Sequence, residues 1–458
     1  MEDMKNGKRS SFSGKLGYVL AAAGASVGLG NIWRFPYLAA KYGGGIFLII
    51  YIVLALTFGY TMIVAETAIG RMTRKSPVGA FKSFGKKKWL SFGGWINAVI
   101  PVLIVPYYSV IGGWVIKYLV EYFRGNAKLL AEDGYFTDFI SNGVSTELCF
   151  VAFCAFTLII IFAGVQNGIE RVSKIMMPIL IVLSVIIAVY SVTRPGAFAG
   201  VKYFLVPNVK NFSWMTVVSA MGQMFYSLSI AMGILITFGS YMKKDTAIED
   251  STRNVEIFDT GIAIMAGLMI IPAVFAFSGG DPDTLQAGPS LMFITIPKVF
   301  QNMGFGTVIG IVFFLLVLFA AVTSSIALTE SAVSTFEDEL GWGRKKATVL
   351  VGVIMLALGS LSSLGYGPLA GIKIIGMQFL DLFDFLTNSV MMPIAAFLTS
   401  LFVSRVVGID KIEDEIIHGE SAFRRKKVFV VMIKYLCPVF AIIILLSSVA
   451  NALGWIKM

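Results

Sequence analysis

The sequence predicts an all-α membrane protein of eleven transmembrane helices, with a core of two inverted five-helix repeats in which helices 1 and 6 are unwound. Three observations carry this prediction. Apolar residues come in runs long enough to cross a bilayer. Basic residues gather in alternate loops. Two of the apolar runs are interrupted by small residues at corresponding places.

Of the 458 residues, 57% are hydrophobic and 14% charged, whereas a soluble domain is about a quarter charged. Residues 46–65 hold no charged side chain and match the roughly 20 residues a helix needs to span hydrocarbon. In lipid the backbone must bond to itself, and long continuous runs favour helices over the short alternating segments of a barrel. The predicted spans are 16–39, 45–69, 90–123, 146–164, 170–192, 214–241, 256–277, 304–336, 346–364, 374–403 and 428–455. The first is expected to be a span rather than a cleavable signal peptide, because it continues into 31–36 with no small-residue cleavage site.

A net charge of +10 invites a nucleic-acid reading, so its distribution matters. Basic residues cluster at 5–9, 71–75, 82–88, 243–244, 344–346 and 424–427. All of these lie on one side of the membrane if the N-terminus is cytoplasmic, and that side then holds about two thirds of the 37 lysines and arginines. The charge therefore reports topology and implies no nucleic-acid partner. It predicts a multi-pass protein of the cell membrane with Met458 outside. Cys149, Cys154 and Cys437 fall within spans and read as small core residues, with no disulfide framework or metal site. The single histidine, His418, reads as a solvated side chain of a charged inner loop. No cluster resembles a hydrolytic triad, a phosphate-binding loop or a zinc site, so the chain is not read as an enzyme.

The first interruption is Gly24-Ala25-Ser26-Val27-Gly28-Leu29-Gly30-Asn31, and the second is Ser227-Leu228-Ser229-Ile230-Ala231-Met232-Gly233. Glycine costs a helix about 1 kcal/mol relative to alanine and lets it unwind. Close helix packing through small residues is the alternative at either place. Matching interruptions at the head of each half point to a transporter with inverted repeats, spans 1–5 in residues 1–192 and spans 6–10 in 193–403. Residues 404–458 then hold an inner loop and the eleventh span. Unwinding frees carbonyls for a cation and exposes helix N-termini that suit a carboxylate.

The run Gly28-Leu29-Gly30-Asn31-Ile32-Trp33-Arg34-Phe35-Pro36 resembles the first-span signature of the neurotransmitter:sodium symporter family. The resemblance continues through Gly43-Gly44-Gly45, Tyr107-Tyr108, Gly222-Gln223, Thr323-Ser324-Ser325 and Glu337-Asp338-Glu339. It is closest to the bacterial branch, which includes the leucine transporter and the multi-hydrophobic amino acid transporter. It implies a moving bundle of spans 1, 2, 6 and 7 against a scaffold of spans 3, 4, 8 and 9, and two sodium ions. The second ion would take the carbonyls of Gly24, Val27 and Ala320 and the hydroxyls of Thr323 and Ser324, all hard oxygen donors. The first would take the Ser26 carbonyl, Asn31, Ser227 and a residue of span seven, which the count from Ser240-Tyr241 makes Asp259. The leucine transporter has an asparagine there. One turn on, where some relatives carry a residue tied to chloride, this chain has Ala263. A carboxylate inside a membrane is costly and marks a functional site by default. The alternative puts Asp259, like Glu256, at a hydrated inner end.

The same resemblance places a substrate carboxylate at the first sodium, the Leu29–Gly30 backbone and the Tyr108 hydroxyl, and an amine at carbonyls around Tyr226 and Ser229. It makes a side-chain pocket of Ala25, Ile104, Tyr108, Ile111, Tyr226, Met232, Ser324, Ser325 and Leu328. Gly28 stands where monoamine carriers place an aspartate, so the ligand must bring its own carboxylate. Met232 is flexible and suits varied shapes. The implied substrate is a neutral hydrophobic or aromatic L-amino acid, taken up without chloride, and the implied assembly a monomer or weak dimer. An outer gate would pair Arg34 with Asp384 above Tyr226. An inner gate would pair Arg9 with Asp338, supported by Ser240 and Tyr241. Gly168 and Pro178 in span five have the spacing that the family uses to let water reach the second sodium from inside, an ordinary kink being the alternative. A proton-coupled permease of the same fold, or a channel or sensor that does not transport, are the competing readings.

Overall fold

The computed structural model describes residues 9–85, 87–279 and 288–455. Apart from Arg9, the basic run 5–9 lies outside them, as do Lys86 and Met458. In chain order the membrane elements are α1a (Lys15–Ser26) with α1b (Gly30–Lys41), α2 (Gly45–Thr73), α3 (Lys88–Phe123), α4 (Gly143–Phe162) and α5 (Val165–Val192). They continue with α6a (Trp214–Ser227) and α6b (Ile234–Tyr241). After these come α7 (Ile248–Ser278), α8 (Gly306–Leu340), α9 (Arg344–Leu364), α10 (Phe379–Val407) and α11 (Lys426–Ala452). Among the described residues, nine helices are continuous and apolar enough to span, and α1 is a pair bent by 52°. The remaining predicted span, 214–241, is the broken pair α6a and α6b.

Both breaks fall at the small-residue interruptions. α1a ends at Ser26, because Val27 turns extended with ψ 90°. α6a starts on a capping box between Ser213 and Thr216 and ends at Ser227. The turn that follows holds Ser229 and Ala231 at φ +53° and +58°, and Gly233 at +69° leads into α6b.

The largest departure from the predicted boundaries is at α7, which begins at Ile248 rather than near 256. Its first turn carries Glu249 and Asp250, which favour a helix N-terminus through the dipole but carry no apolar signal. α5 is helical between Gly168 and Pro178 in this structure. It opens with a wide turn at Val165–Glu170 and continues as helix past Pro178.

α3 packs on α8, α4 and α9, while α2 packs on α6b, and α1a on α7 and α8. The α2–α6b contact is unusually close. A β-carbon at Gly70 would lie 2.0 Å from the Ile236 carbonyl oxygen, and one at Gly239 would lie 2.4 Å from that of Thr67. Small residues here let two backbones touch. The loop between α10 and α11 carries a helix, Ile409–Ile417, fastened to the inner ends of the other elements. The fully buried Arg71 of α2 meets Glu415 at 2.7 Å, and Glu249 of α7 accepts the backbone N–H groups of Arg424 and Arg425 at 2.8 and 2.9 Å. The three cysteines are unpaired.

Candidate functional site

The two breaks face one another across a cavity of about 360 Å³ between α1, α3, α6 and α8. Its walls are Ala25, Ser26, Gly28, Leu29, Gly30, Asn31, Ile104, Tyr108, Tyr226, Ser227, Ser229, Met232, Ser324 and Leu328, none of them charged. One end is polar. There the Leu29 N–H donates to the Tyr108 hydroxyl at 3.3 Å, and the Ser229 hydroxyl donates to the Ala25 carbonyl at 3.0 Å. Tyr226 lies against Gly30 so closely that a β-carbon at Gly30 would sit 2.5 Å from its ring. The ring thus roofs the cavity.

Two predicted pocket residues are not in its wall. Ile111 lies higher and lines a separate outer vestibule of about 1300 Å³. Ser325 faces away and shares a 3.1 Å hydrogen bond with Thr157 of α4.

Beneath the polar end sits a buried carboxylate. The Asn31 amide donates to Asp259 Oδ1 at 2.8 Å and to the Ser227 hydroxyl at 2.9 Å. Ser227 donates to the same carboxylate oxygen at 2.8 Å. The other oxygen, Oδ2, accepts from Tyr51 at 2.8 Å. Asp259 is completely buried, so the alternative of a hydrated inner end does not hold for it. Glu256 points elsewhere, pairing with Arg425 at 3.3 Å.

The second predicted group also converges. The Ser324 hydroxyl lies 3.2 Å from the carbonyls of Gly24 and Ala25 and 3.5 Å from that of Val27. Thr323 is one residue away, and its hydroxyl lies 3.1 Å from the Ala320 carbonyl. A β-carbon at Gly24 would lie 3.1 Å from Thr323 Cβ, so α1a and α8 meet here. Every donor in this group is an oxygen, and none is charged.

The two expected gate pairs differ. In the expected inner pair, Arg9 meets Asp338 at 2.5 Å, donates to Ser240 at 3.1 Å and to Ser334 at 2.7 Å, and stacks 5.0 Å from the Tyr241 ring centre. In the expected outer pair, the ion pair is not made. Arg34 lies over the Tyr226 ring at 5.4 Å, while Asp384 is held by Tyr107 at 3.2 Å and Asn388 at 2.5 Å. Both line the vestibule, whose width keeps them apart.

Several contributors escaped the sequence reading. Tyr51, Thr157 and Ser334 are single polar groups whose spacing carries no signal, and Tyr107 was legible as part of a motif but not its contact with Asp384. Gln223 was legible as part of a motif, but not its contact, an amide donating to the Gly30 carbonyl at 3.0 Å. Glu66 was legible only as a charge ending an apolar run.

A family model described as the Sodium:neurotransmitter symporter family matches residues 9–137 and 134–455. An uncharacterized sodium-dependent transporter of Bacillus subtilis is 34% identical over 450 residues, covering 97% of this chain and 99% of its own length. The human sodium- and chloride-dependent GABA transporter 2 is 26% identical, covering 89% and 75%. The crystal structure of MhsT in complex with L-phenylalanine superposes with a TM-score of 0.86 at 34% identity, covering 96% of this chain and all of that one. With these matches over nearly its whole length, the chain belongs to the sodium:neurotransmitter symporter family and is a sodium-coupled membrane transporter.

Proposed function

We propose that the protein imports neutral hydrophobic or aromatic L-amino acids, driven by two sodium ions and independent of chloride. The observation that carries this reading is an uncharged cavity whose polar end abuts a buried carboxylate. A charged substrate side chain would be buried there without a partner. A zwitterion would meet the Tyr108 hydroxyl and Leu29–Gly30 backbone with its carboxylate, and the carbonyls around Tyr226 and Ser229 with its amine. The phenylalanine bound by MhsT is of the same class.

The first sodium would take Asp259, Ser227, the Ser26 carbonyl and Asn31. The Asn31 amide would turn to present its oxygen in place of the hydrogens now on Asp259. The second would take the carbonyls of Gly24, Val27 and Ala320 with Thr323 and Ser324. Two cations and a zwitterion leave excess positive charge in a site of low dielectric. Asp259 supplies the compensating charge, so no anion need be recruited from solution. Arg9 with Asp338 serves as inner gate, and Arg34 with Asp384 closes over Tyr226 once the substrate is bound. Residues 1–192 and 193–403 are the two inverted repeats. The N-terminus is cytoplasmic, and the protein acts in the cell membrane as a monomer or weak dimer.

The test is uptake of a panel of radiolabelled amino acids into proteoliposomes under an inward sodium gradient. Uptake of leucine, phenylalanine or tryptophan is expected, unchanged when gluconate replaces chloride. Competition by lysine, glutamate or dopamine with the hydrophobic amino acids silent would overturn the substrate class. Uptake driven by a pH gradient without sodium would favour a proton-coupled permease.

A further inference from the structure

Each charge of the expected outer pair is held on its own side of the vestibule. Arg34 of α1b lies over the Tyr226 ring of α6a at 5.4 Å. Asp384 is tied instead to α3 and to its own helix. Its Oδ1 accepts from the Tyr107 hydroxyl at 3.2 Å and from the Asn388 amide at 2.5 Å. The same amide nitrogen lies 3.2 Å from the Tyr107 hydroxyl, so the three groups close a triangle. All three line the vestibule, as Arg34 does.

Asn388 is the firmer of the two holds on Asp384. A carboxylate only accepts, so the amide must turn its N–H groups toward it. The amide oxygen is then left buried, with no hydrogen-bond partner among the described residues. A buried acceptor without a donor is costly, and such an arrangement calls for a use. Tyr107 has another neighbour, the Thr387 hydroxyl at 3.4 Å, and does not depend on Asp384. Asp384 and Asn388 are four residues apart on α10, a spacing that keeps the amide beside the carboxylate.

We propose that Asn388 tunes the outer gate: its amide holds the Asp384 carboxylate back from Arg34 while the vestibule is open. An ion pair across open water gains little, so one short hydrogen bond can compete with it. When substrate is seated and water leaves the vestibule, the dielectric falls and the pull of Arg34 on Asp384 grows. The amide then yields. Asn388 is thus a positioning residue that acts through Asp384, with no contact to substrate or ion assigned to it. The proposal rests on the reading of Arg34 and Asp384 as a gate over an amino-acid cavity.

The experiment loads the purified full-length protein with radiolabelled L-phenylalanine in saturating sodium and follows its dissociation into excess unlabelled phenylalanine. Asn388→Ala frees Asp384 for Arg34 and should slow dissociation about tenfold, the low end of what one hydrogen bond to a charged group is worth. Arg34→Ala should speed dissociation. Asn388→Ala added to Arg34→Ala should change the rate by less than about twofold, because the amide then has nothing to compete with. Unchanged or faster dissociation in Asn388→Ala overturns the proposal. So does a slowing that persists without Arg34, since a merely structural effect would not need the guanidinium. If Asn388→Ala cannot be purified, Asn388→Leu, close in shape but without the amide, carries the same expectations. Failure of both to fold would make Asn388 a structural residue and overturn the proposal. Absence of phenylalanine binding by the unmodified protein would instead overturn the amino-acid reading, and the proposal with it.

Discussion

A β-carbon at Gly28 would lie 2.7 Å from the Ser324 hydroxyl and 3.1 Å from that of Tyr108. Both line the cavity, so on the proposed reading Gly28→Ala is expected to weaken amino-acid binding by on the order of tenfold, through overpacking of about 1–3 kcal/mol. Equilibrium binding in saturating sodium checks this. At Asp259 the expectation concerns the ion. Asp259→Asn should lower sodium affinity far more than Glu256→Gln, since Glu256 faces Arg425 and not the cavity. Tyr51→Phe removes one donor to the Asp259 carboxylate and should alter sodium affinity by roughly 10- to 100-fold, the scale of one charged hydrogen bond. Sodium titrations of substrate binding measure both. Asp259 was legible in the sequence because a carboxylate stands out in a membrane span and its register could be counted. Ile111 was misjudged for a geometric reason. It shares a helix face with Ile104 and Tyr108, but seven residues of helix raise it roughly 10 Å above Ile104, past the Tyr226 roof.

Between α1a and α8 the contact is made of backbone carbonyls and two hydroxyls. Thr323→Val together with Ser324→Ala keeps most of the volume and removes both hydroxyls, so the protein should fold but lose sodium-dependent binding. Helix content by circular dichroism and a sodium titration separate the two effects. At the inner end, Arg9→Ala removes the guanidinium that joins the start of the chain to α6b and α8. It should favour the inward-facing state and raise the half-saturating sodium concentration several-fold, because apparent affinity scales with the binding-competent fraction. Nine continuous spans and both breaks were legible at this scale, because apolar length and glycine content are local properties. The start of α7 was not, since its first turns are charged and lie beyond the apolar stretch. The fastening of the Ile409–Ile417 helix was not legible either. It depends on Arg71 and Glu415, which are far apart in sequence and look like ordinary inner-loop charges.

For the molecule as a whole, the coupling sets a bound that uptake measurements can reach. Each charge crossing ~100 mV gains about 2.3 kcal/mol, and a tenfold gradient adds about 1.4 kcal/mol per ion. Two ions supply roughly 7 kcal/mol, enough for on the order of a 10⁵-fold accumulation of a neutral substrate. One ion would supply half of that free energy, so the accumulation limit in proteoliposomes reports the stoichiometry. Such a gradient pushes back on the molecule that built it, and here the unequal gates matter. On the inner face a guanidinium binds a carboxylate and two hydroxyls and rests on an aromatic ring. On the outer face a single ring covers the cavity, and its flanking charges stand apart. In the orientation proposed above, the protein in this state would behave as a check valve, with its heavier seal on the side where the substrate accumulates. Backflow must break that seal before it can meet the site, whereas a molecule arriving from the dilute side finds the vestibule already open.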